Sequence, residues 1–502
     1  MPSIEVLNLT FSYPDSYENI FENVYLSINT NWKLGLIGRN GRGKTTFLNL
    51  LMNKFEYSGQ ILSDVEFQYF PYKVKNVNLS SFDILKEVKP EIIENFEEWK
   101  LKKEISLLEM DVRILDRPFG ELSKGEQTRV LLAILFVDDK NFLLIDEPTN
   151  HLDYKTREIV ANYLNSKKGF ILVSHDRMLL EKSVDYLLSI NKSNIELQKG
   201  NFSSWLENKE KQDGFELREN KRLKEDIKKL EDSSKQIASF ATKTEKEKYR
   251  DTKQSDNRVD KGFIGKKSAK LMQRAMSAEK RKEEAIREKS QLLKNVEFIA
   301  NLKMNPLKYG SNTLINVENL EIYYNNKSIF KPISFLVNAG DRVHLKGENG
   351  SGKSSIIKLL MGETIDYKGS YKTRNDLKIS YISQDTSYLK GSLKEFIKQN
   401  KIDETLLKVV LSKLGFSASQ FEKNLEDYSE GQKKKILIAK SLCEEAHLYI
   451  WDEPLNYIDF MTRIQIENLI LEYKPTIIFI EHDEVFASKI ANKTVFIKKF
   501  NK

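Results

Sequence analysis

Cysteine is all but missing from this chain. One residue of 502, Cys443, carries a thiol, so no internal disulfide can form, and a reducing compartment is the simplest expectation. Zinc fingers and ribbons, which need at least two thiolates, are excluded by the same count. Proline is scarce as well, and none falls between Pro148 and Pro306. No apolar run approaches the roughly 18 residues of a membrane span, and Met1-Pro2-Ser3-Ile4-Glu5 shows no basic patch leading an apolar stretch, so no secretory signal is expected. The expectation is a soluble cytoplasmic protein without a membrane partner. At about 100–200 residues per domain the length allows two to four domains with full cores.

Charge of one sign is not in large excess, but it is unevenly placed. The chain holds 81 Lys+Arg against 73 Asp+Glu, a net charge of +8. Residues 211–300 alone hold 25 against 17, so the whole excess lies in that stretch. Such a segment reads either as a solvated helical face or as a field that attracts a polyanion such as RNA or an acidic membrane surface. Composition leaves both open.

An internal repeat decides the architecture. Gly38-Arg39-Asn40-Gly41-Arg42-Gly43-Lys44-Thr45 matches Gly347-Glu348-Asn349-Gly350-Ser351-Gly352-Lys353-Ser354. Leu144-Ile145-Asp146-Glu147-Pro148 matches Ile450-Trp451-Asp452-Glu453-Pro454, and Ser174-His175-Asp176 matches Glu481-His482-Asp483. Three motifs recur in one order at nearly one spacing, so two copies of a domain are expected, over 1–206 and 306–502. Between them, 207–305 is rich in Glu, Lys, Arg, Gln and Ala. Leu223, Ile227, Leu230, Ser234 and Ile237 step by four and three, the period of a weak coiled-coil seam. The glycines Gly262 and Gly265 interrupt the pattern, which suggests an antiparallel helical hairpin with its tip near 240–265.

Each Gly-x-x-x-x-Gly-Lys-Ser/Thr run follows a short β-like stretch and opens a helical pattern starting at Thr46 or Ser355, the context a P-loop requires. Its glycines let backbone N–H groups curl around phosphates at a helix N-terminus. Lys44 and Lys353 can reach the β- and γ-phosphates, and Thr45 and Ser354 can hold Mg²⁺ through their hydroxyls. Two apolar runs end in Asp146-Glu147 and Asp452-Glu453, which places carboxylates at the C-terminal edge of a parallel sheet. Asp146 and Asp452 are expected on the Mg²⁺ shell, and Glu147 and Glu453 on the attacking water. His175 and His482, at equivalent places after apolar strands, suggest γ-phosphate sensing or water positioning rather than structural histidines.

With these motifs in place the chain resembles the ABC-type ATPases. Leu122-Ser123-Lys124-Gly125-Glu126-Gln127 and Tyr428-Ser429-Glu430-Gly431-Gln432 look like the family's signature loops, and Gln68 and Gln384 look like Q-loop glutamines that complete the Mg²⁺ shells. Tyr13 and Tyr324 sit where the family stacks an aromatic on adenine, with core packing as the alternative. The resemblance implies an α/β fold, two ABC-type P-loop ATPase domains with a mixed-sheet core and a helical subdomain, joined by a long α-helical hairpin linker. It also implies ATP and Mg²⁺ as ligands and a head-to-tail pairing within one monomer, Lys44 facing Ser429 and Gly431, and Lys353 facing Ser123 and Gly125.

Within the superfamily the chain resembles the ABC-F class, with twin cassettes, no membrane segment and a charged linker containing Lys266-Lys267-Ser268-Ala269-Lys270-Leu271-Met272-Gln273-Arg274. Members bind the 70S ribosome, and their linker reaches from the E site toward P-site transfer RNA and the peptidyl-transferase centre. The short spacing from Thr46 to Gln68 leaves no room for an inserted arm, which looks like the Lsa-type resistance group that protects ribosomes from lincosamides, pleuromutilins and streptogramin A. Tyr249, Lys261, Phe263, Lys266, Lys267, Lys270 and Arg274 are then the expected contacts to ribosomal RNA. A housekeeping translation factor, the motor of a membrane transporter and a chromosome-organising ATPase are the rival readings. Departures are Lys124 and Glu430 in place of a signature glycine, Tyr428 in place of leucine, and Glu481 in place of a serine.

Overall fold

The computed structural model describes residues 2–14, 19–138, 141–149, 152–191, 193–216, 302–308, 310 and 312–500, with scattered positions between 217 and 301. The chain divides into two compact units, Met1–Phe202 with Ile299–Lys502, and Ser203–Phe298. The first unit holds two cassettes of one build.

In the first cassette a six-stranded sheet runs Phe67–Phe70, Phe142–Asp146, Phe170–Val173, Lys33–Ile37, Tyr186–Asn191, Asn194–Lys199. All neighbours are parallel except the last pair, a hairpin from Asn191 to Asn194. The second cassette repeats the parallel part as Ile379–Ile382, Leu448–Asp452, Ile477–Ile480, Arg342–Lys346, Lys493–Phe496. A parallel sheet is covered on both faces and needs near-continuous apolar strands. Phe142–Ile145 and Leu448–Asp452 are accordingly buried throughout. An antiparallel sheet packs beside each: Phe21–Asn29, Ser3–Phe11 and Ser58–Ser63 in the first cassette, and one centred on Thr313–Tyr324 in the second.

This topology gathers the motifs. The P-loop strand Lys33–Ile37 lies between Phe170–Val173 and Tyr186–Asn191, with Phe142–Asp146 one strand further out. Strands that all point one way release their next residues at one edge, so Gly38, Glu147 and Ser174-His175 emerge together. The helices Lys44–Leu51 and Lys353–Leu360 begin there, capped by Gly43 at φ 88° and Gly352 at φ 91°. No other residue fits these caps, because a Cβ would lie 2.6 Å from Ile20 or Ile329 side-chain carbons in a left-handed backbone.

Helical layers carry the signature loops. Ser81–Val88 and Glu98–Leu107 precede Lys124–Leu135 in the first cassette, and Leu393–Gln399 and Glu404–Lys413 precede Glu430–Cys443 in the second. Trp451, Tyr449 and Phe479 anchor the second cassette's core against this layer. Ser123 caps its helix with a reciprocal bond set: its Oγ accepts from Glu126 N at 3.3 Å while its own N–H donates to Glu126 Oε2 at 2.8 Å. Ser429 and Gln432 repeat the device at 3.3 and 3.0 Å. Such a capping box satisfies two orphan N–H groups at once and pins the loop.

In the second unit the described residues are helical over 203–216 and at the scattered positions from 218 to 228 and from 266 to 284. Ion pairs one turn apart, Lys209–Asp213 at 3.0 Å and Lys211–Glu207 at 2.7 Å, support its first helix. Lys266 and Lys270 are helical and exposed. The expected tip at 240–265, the seam positions Leu223, Ile227, Leu230, Ser234 and Ile237, and Tyr249, Lys261, Phe263, Lys267 and Arg274 lie outside the described residues. Among the described residues no helix is long and apolar enough to cross a membrane.

Candidate active site

One cavity of about 720 Å³ joins the two cassettes. From the second come Tyr324, Asn349, Gly350, Gly352, Lys353, Ser354, Ser355, Gln384, Glu453 and His482; from the first come Ser123, Gly125 and Asp153. The P-loop of one half thus shares a cavity with the signature loop of the other. Lys353 Nζ donates to the carbonyls of Gly347 and Glu348 at 2.8 and 2.9 Å. Gly347 lies so close to Ile497 that a Cβ would meet its carbonyl at 2.7 Å. Glu453, at φ 49°, accepts from Gln384 Nε2 at 2.9 Å and Asn456 Nδ2 at 2.7 Å, and stands 3.4 Å from His482 Nε2.

The reciprocal assembly surrounds Lys44. Its Nζ donates to Gly38 O at 2.9 Å, Arg39 O at 3.3 Å and Asn40 Oδ1 at 3.4 Å. Across the cassette boundary Asn40 Nδ2 donates to Tyr457 O at 2.7 Å, and a Cβ on Gly431 would stand 3.1 Å from that same amide nitrogen. The second signature loop therefore abuts the first P-loop, with Gly41 forming its open bend. Thr45 Oγ1 donates to Asp146 Oδ2 at 2.9 Å, and His175 Nε2 lies 3.0 Å from Asn40 Oδ1 and 3.6 Å from Glu147 Oε1. Tyr13 and Tyr324 hydrogen-bond Thr46 and Ser355 at 2.8 and 3.3 Å, and both rings are exposed.

Burial sets the electrostatics. It lowers the Lys44 ammonium despite Glu147, Asp459 and Asp146 nearby, and it lowers Lys353 in the same way. Burial, then the Lys44 charge, holds His175 well below its usual range, so its imidazole is neutral. Asp146 is raised by burial, and Asp452 to about 6. The two glutamates diverge. Burial, reinforced by Asp146, pushes Glu147 up to about 8. Burial also acts against the charge of Glu453, but the His482 hydrogen bond and the Lys353 and Lys434 charges outweigh it and hold the carboxyl below its usual value.

The strand register corrects one assignment. Phe70 pairs with Ile145, the residue before Asp146, and Ile382 pairs with Trp451, the residue before Asp452. Phe70 and Ile382 are therefore equivalent, and two residues on Gln384 corresponds to Tyr72, not to Gln68. Gln68 sits inside its strand beside Leu143, on the face opposite Tyr69, whose hydroxyl reaches Asp146 Oδ2 at 3.0 Å. Gln68 Oε1 is buried without a hydrogen-bond partner among the described residues, inside the strand and three places short of the edge at which Asp146 stands. The short Phe-Gln-Tyr run misled because it holds a glutamine near the expected place; only pairing fixes the count.

Several site residues escaped the sequence reading. Asp459 caps its helix and pairs with Lys435 at 2.8 Å, both buried. Arg157 and Arg463 brace Asp176 and Asp483 at 3.2 and 2.9 Å. Their signal was present in the repeat, since Arg157 and Arg463 stand four residues beyond Asp153 and Asp459 in both halves.

The family model described as "ABC transporter" matches residues 21–150 and 330–456. "ATP-binding protein Uup" of Buchnera aphidicola subsp. Acyrthosiphon pisum (strain APS) is 29% identical, over 99% of this chain and 81% of that protein. "Ribosome protection protein VmlR" of Bacillus subtilis (strain 168) is 26% identical, over 98% and 87%. Among solved structures, archaeal ribosome recycling factor aABCE1, crystallised with stalk protein aP1, superposes with a TM-score of 0.62 at 18% identity, covering 97% of this chain and 87% of that one. Tandem cassettes are thus the fold. The family model covers the P-loop and the Asp-Glu strand twice, so the chain belongs to the ABC transporter family and is an ATPase built from two ATP-binding cassettes.

Proposed function

We propose that this ATPase is an ABC-F protein that acts in the cytoplasm on the 70S ribosome. In this reading it protects the peptidyl-transferase centre from lincosamide, pleuromutilin and streptogramin A drugs, in the manner of the Lsa-type group. The likeness to a ribosome protection protein along 98% of the chain carries this reading. The basic excess at 211–300 supports it, because Lys and Arg neutralise RNA phosphates and release their counterions. Lys266 and Lys270, exposed on a helix, suit that role. A housekeeping ribosomal factor is the second reading, favoured by the likeness to the Uup protein over 99% of the chain.

The residues present fit a hard divalent cation at each site. Asp452 Oδ1 is buried without a hydrogen-bond partner among the described residues, while Ser354 bonds the same carboxylate; Thr45 and Asp146 form the corresponding pair. Oxygen donors of this kind suit Mg²⁺, which neutralises charge on the β- and γ-phosphates when bound. The chain itself does the rest. Lys44 and Lys353 leave the loop carbonyls to meet phosphate oxygens, and Ser123 and Ser429 present capped helix N-termini to the nucleotide of the opposite cassette. Glu453, ionised and held by three side chains, orients the attacking water. Bound ATP ties the two halves together, and loss of the γ-phosphate contacts releases them.

The test is a double Glu147→Gln and Glu453→Gln variant in ATP, sedimented through sucrose. It should travel with 70S particles and stay there. Recovery with free protein or membranes instead would sink the ribosomal reading. Drug susceptibility of a sensitive bacterium carrying the wild-type gene then separates protection from housekeeping.

A further inference from the structure

Glu147 and Glu453 hold equivalent places, yet among the described residues only Glu453 receives a hydrogen bond from the side chain at the Gln384 position. Glu453 is fixed by Gln384, Asn456 and His482 at 2.9, 2.7 and 3.4 Å. Glu147 receives the backbone N–H of His175, but its Oε1 is buried with no hydrogen bond among the described residues. His175 Nε2 stands 3.0 Å from Asn40 Oδ1 and 3.6 Å from Glu147 Oε1. The residue that stands for Gln384 is Tyr72, and its hydroxyl donates to Glu87 Oε1 at 3.2 Å, on the helix Ser81–Val88. Tyr72 is thus engaged with the helical layer, and its one O–H donor is spent on Glu87 rather than on Glu147.

A carboxylate that must orient water contributes only while it is held in its working geometry. We propose that the two composite sites turn over unequally: the Lys353 site, where Gln384 positions Glu453, hydrolyses ATP, whereas the Lys44 site, with Tyr72 in that place, retains ATP through several cycles of the other. Gln384 is then a positioning residue without a counterpart in the first cassette. The Asn40–Tyr457 bond at 2.7 Å fits this division, because it ties the first P-loop to the loop between Glu453 and Asp459, on which Gly431 of the second signature packs. The standing nucleotide at Lys44 keeps the cassettes paired while the Lys353 side opens and closes. This inference rests on the ATPase activity alone and is independent of the ribosomal reading.

The experiment uses the purified full-length protein, loaded with radiolabelled ATP at both sites and chased with unlabelled ATP and Mg²⁺. Labelled phosphate should appear in two equal phases, one per chain each, with the second about tenfold or more slower. Tyr72→Gln should accelerate the slow phase about tenfold, and Gln384→Ala should slow the fast phase by a similar factor. Half-saturation by a fluorescent ATP analogue should shift less than about twofold in both variants, which separates positioning from binding or misfolding. A single phase releasing two phosphates per wild-type chain overturns the proposal. So does a biphasic release that neither substitution moves.

Discussion

Arg177 Nη1 stands 2.8 Å from Glu467 Oε1, an ion pair that crosses from the first cassette to the second and is buried on both sides. Lys489 reaches the other carboxylate oxygen at 2.9 Å. The pair has no mirror image: the repeat puts Ala161 opposite Glu467 and Glu484 opposite Arg177. It lies one helix away from the Lys44 site, since the helix bearing Glu467 starts at the Asp459 cap. Removing Glu467 leaves Arg177 buried without this carboxylate, whereas replacing both removes the penalty along with the attraction.

Glu467→Ala should therefore destabilise the folded protein by about 3–5 kcal/mol. Paired replacement of Arg177 and Glu467 by Met should lose less than either single change. Thermal denaturation of the four proteins at fixed concentration forms the cycle that checks this. Equal, additive losses would show that the two charges do not interact.

Ser123→Ala should act on the nucleotide held by Lys353, because Ser123 lines that cavity. Loss of the cap weakens the helix Lys124–Leu135 by about 1 kcal/mol, and ATP affinity at that site should fall. Equilibrium binding to Ser123→Ala in a Lys44→Ala background reads the Lys353 site by itself. An unchanged affinity there would argue against the head-to-tail arrangement.

Burial raises Glu481 to about 7, although the Leu455 backbone N–H bonds it at 2.8 Å and Arg463 lies nearby. A carboxyl raised in the folded state favours folding when protonated. Its contribution is complete below the unfolded value near 4.5 and fades as pH climbs through 7. Glu481→Gln should therefore be worth more at pH 8.5 than at pH 5.5 relative to wild type. Melting temperatures at the two pH values check the sign.

Cys443 is pushed up to about 12 by burial, helped by Glu444 and Asp403. Its thiolate fraction at neutral pH is negligible, and the thiolate is the reactive form. Iodoacetamide should leave the native protein unlabelled over a time in which guanidinium-unfolded protein reacts fully. Mass spectrometry of the intact chain decides it.

The chemistry of the P-loops could be read directly, because a phosphate cradle demands glycines and a lysine at invariant separations within a few residues. Lys44, Thr45, Lys353 and Ser354 are local features of that kind. The capping boxes at Ser123-Glu126 and Ser429-Gln432 were legible for the same reason and were overlooked. Gln68 shows where such reading stops. A residue's place along a strand relative to the strand beside it depends on pairing between segments some 75 positions apart, and no local pattern carries that number.

From its sequence alone this protein is a duplicated phosphate-binding machine with a basic insert, since covalent spacing within each motif suffices to build a cradle, a metal-facing acid and a water-facing acid. Tertiary structure decided which halves meet. It set Asn40 on Tyr457 and Arg177 on Glu467, and aligned Tyr72 with Gln384. Those outcomes come from long-range packing and shared burial, where partners distant in sequence compete for the same few ångströms.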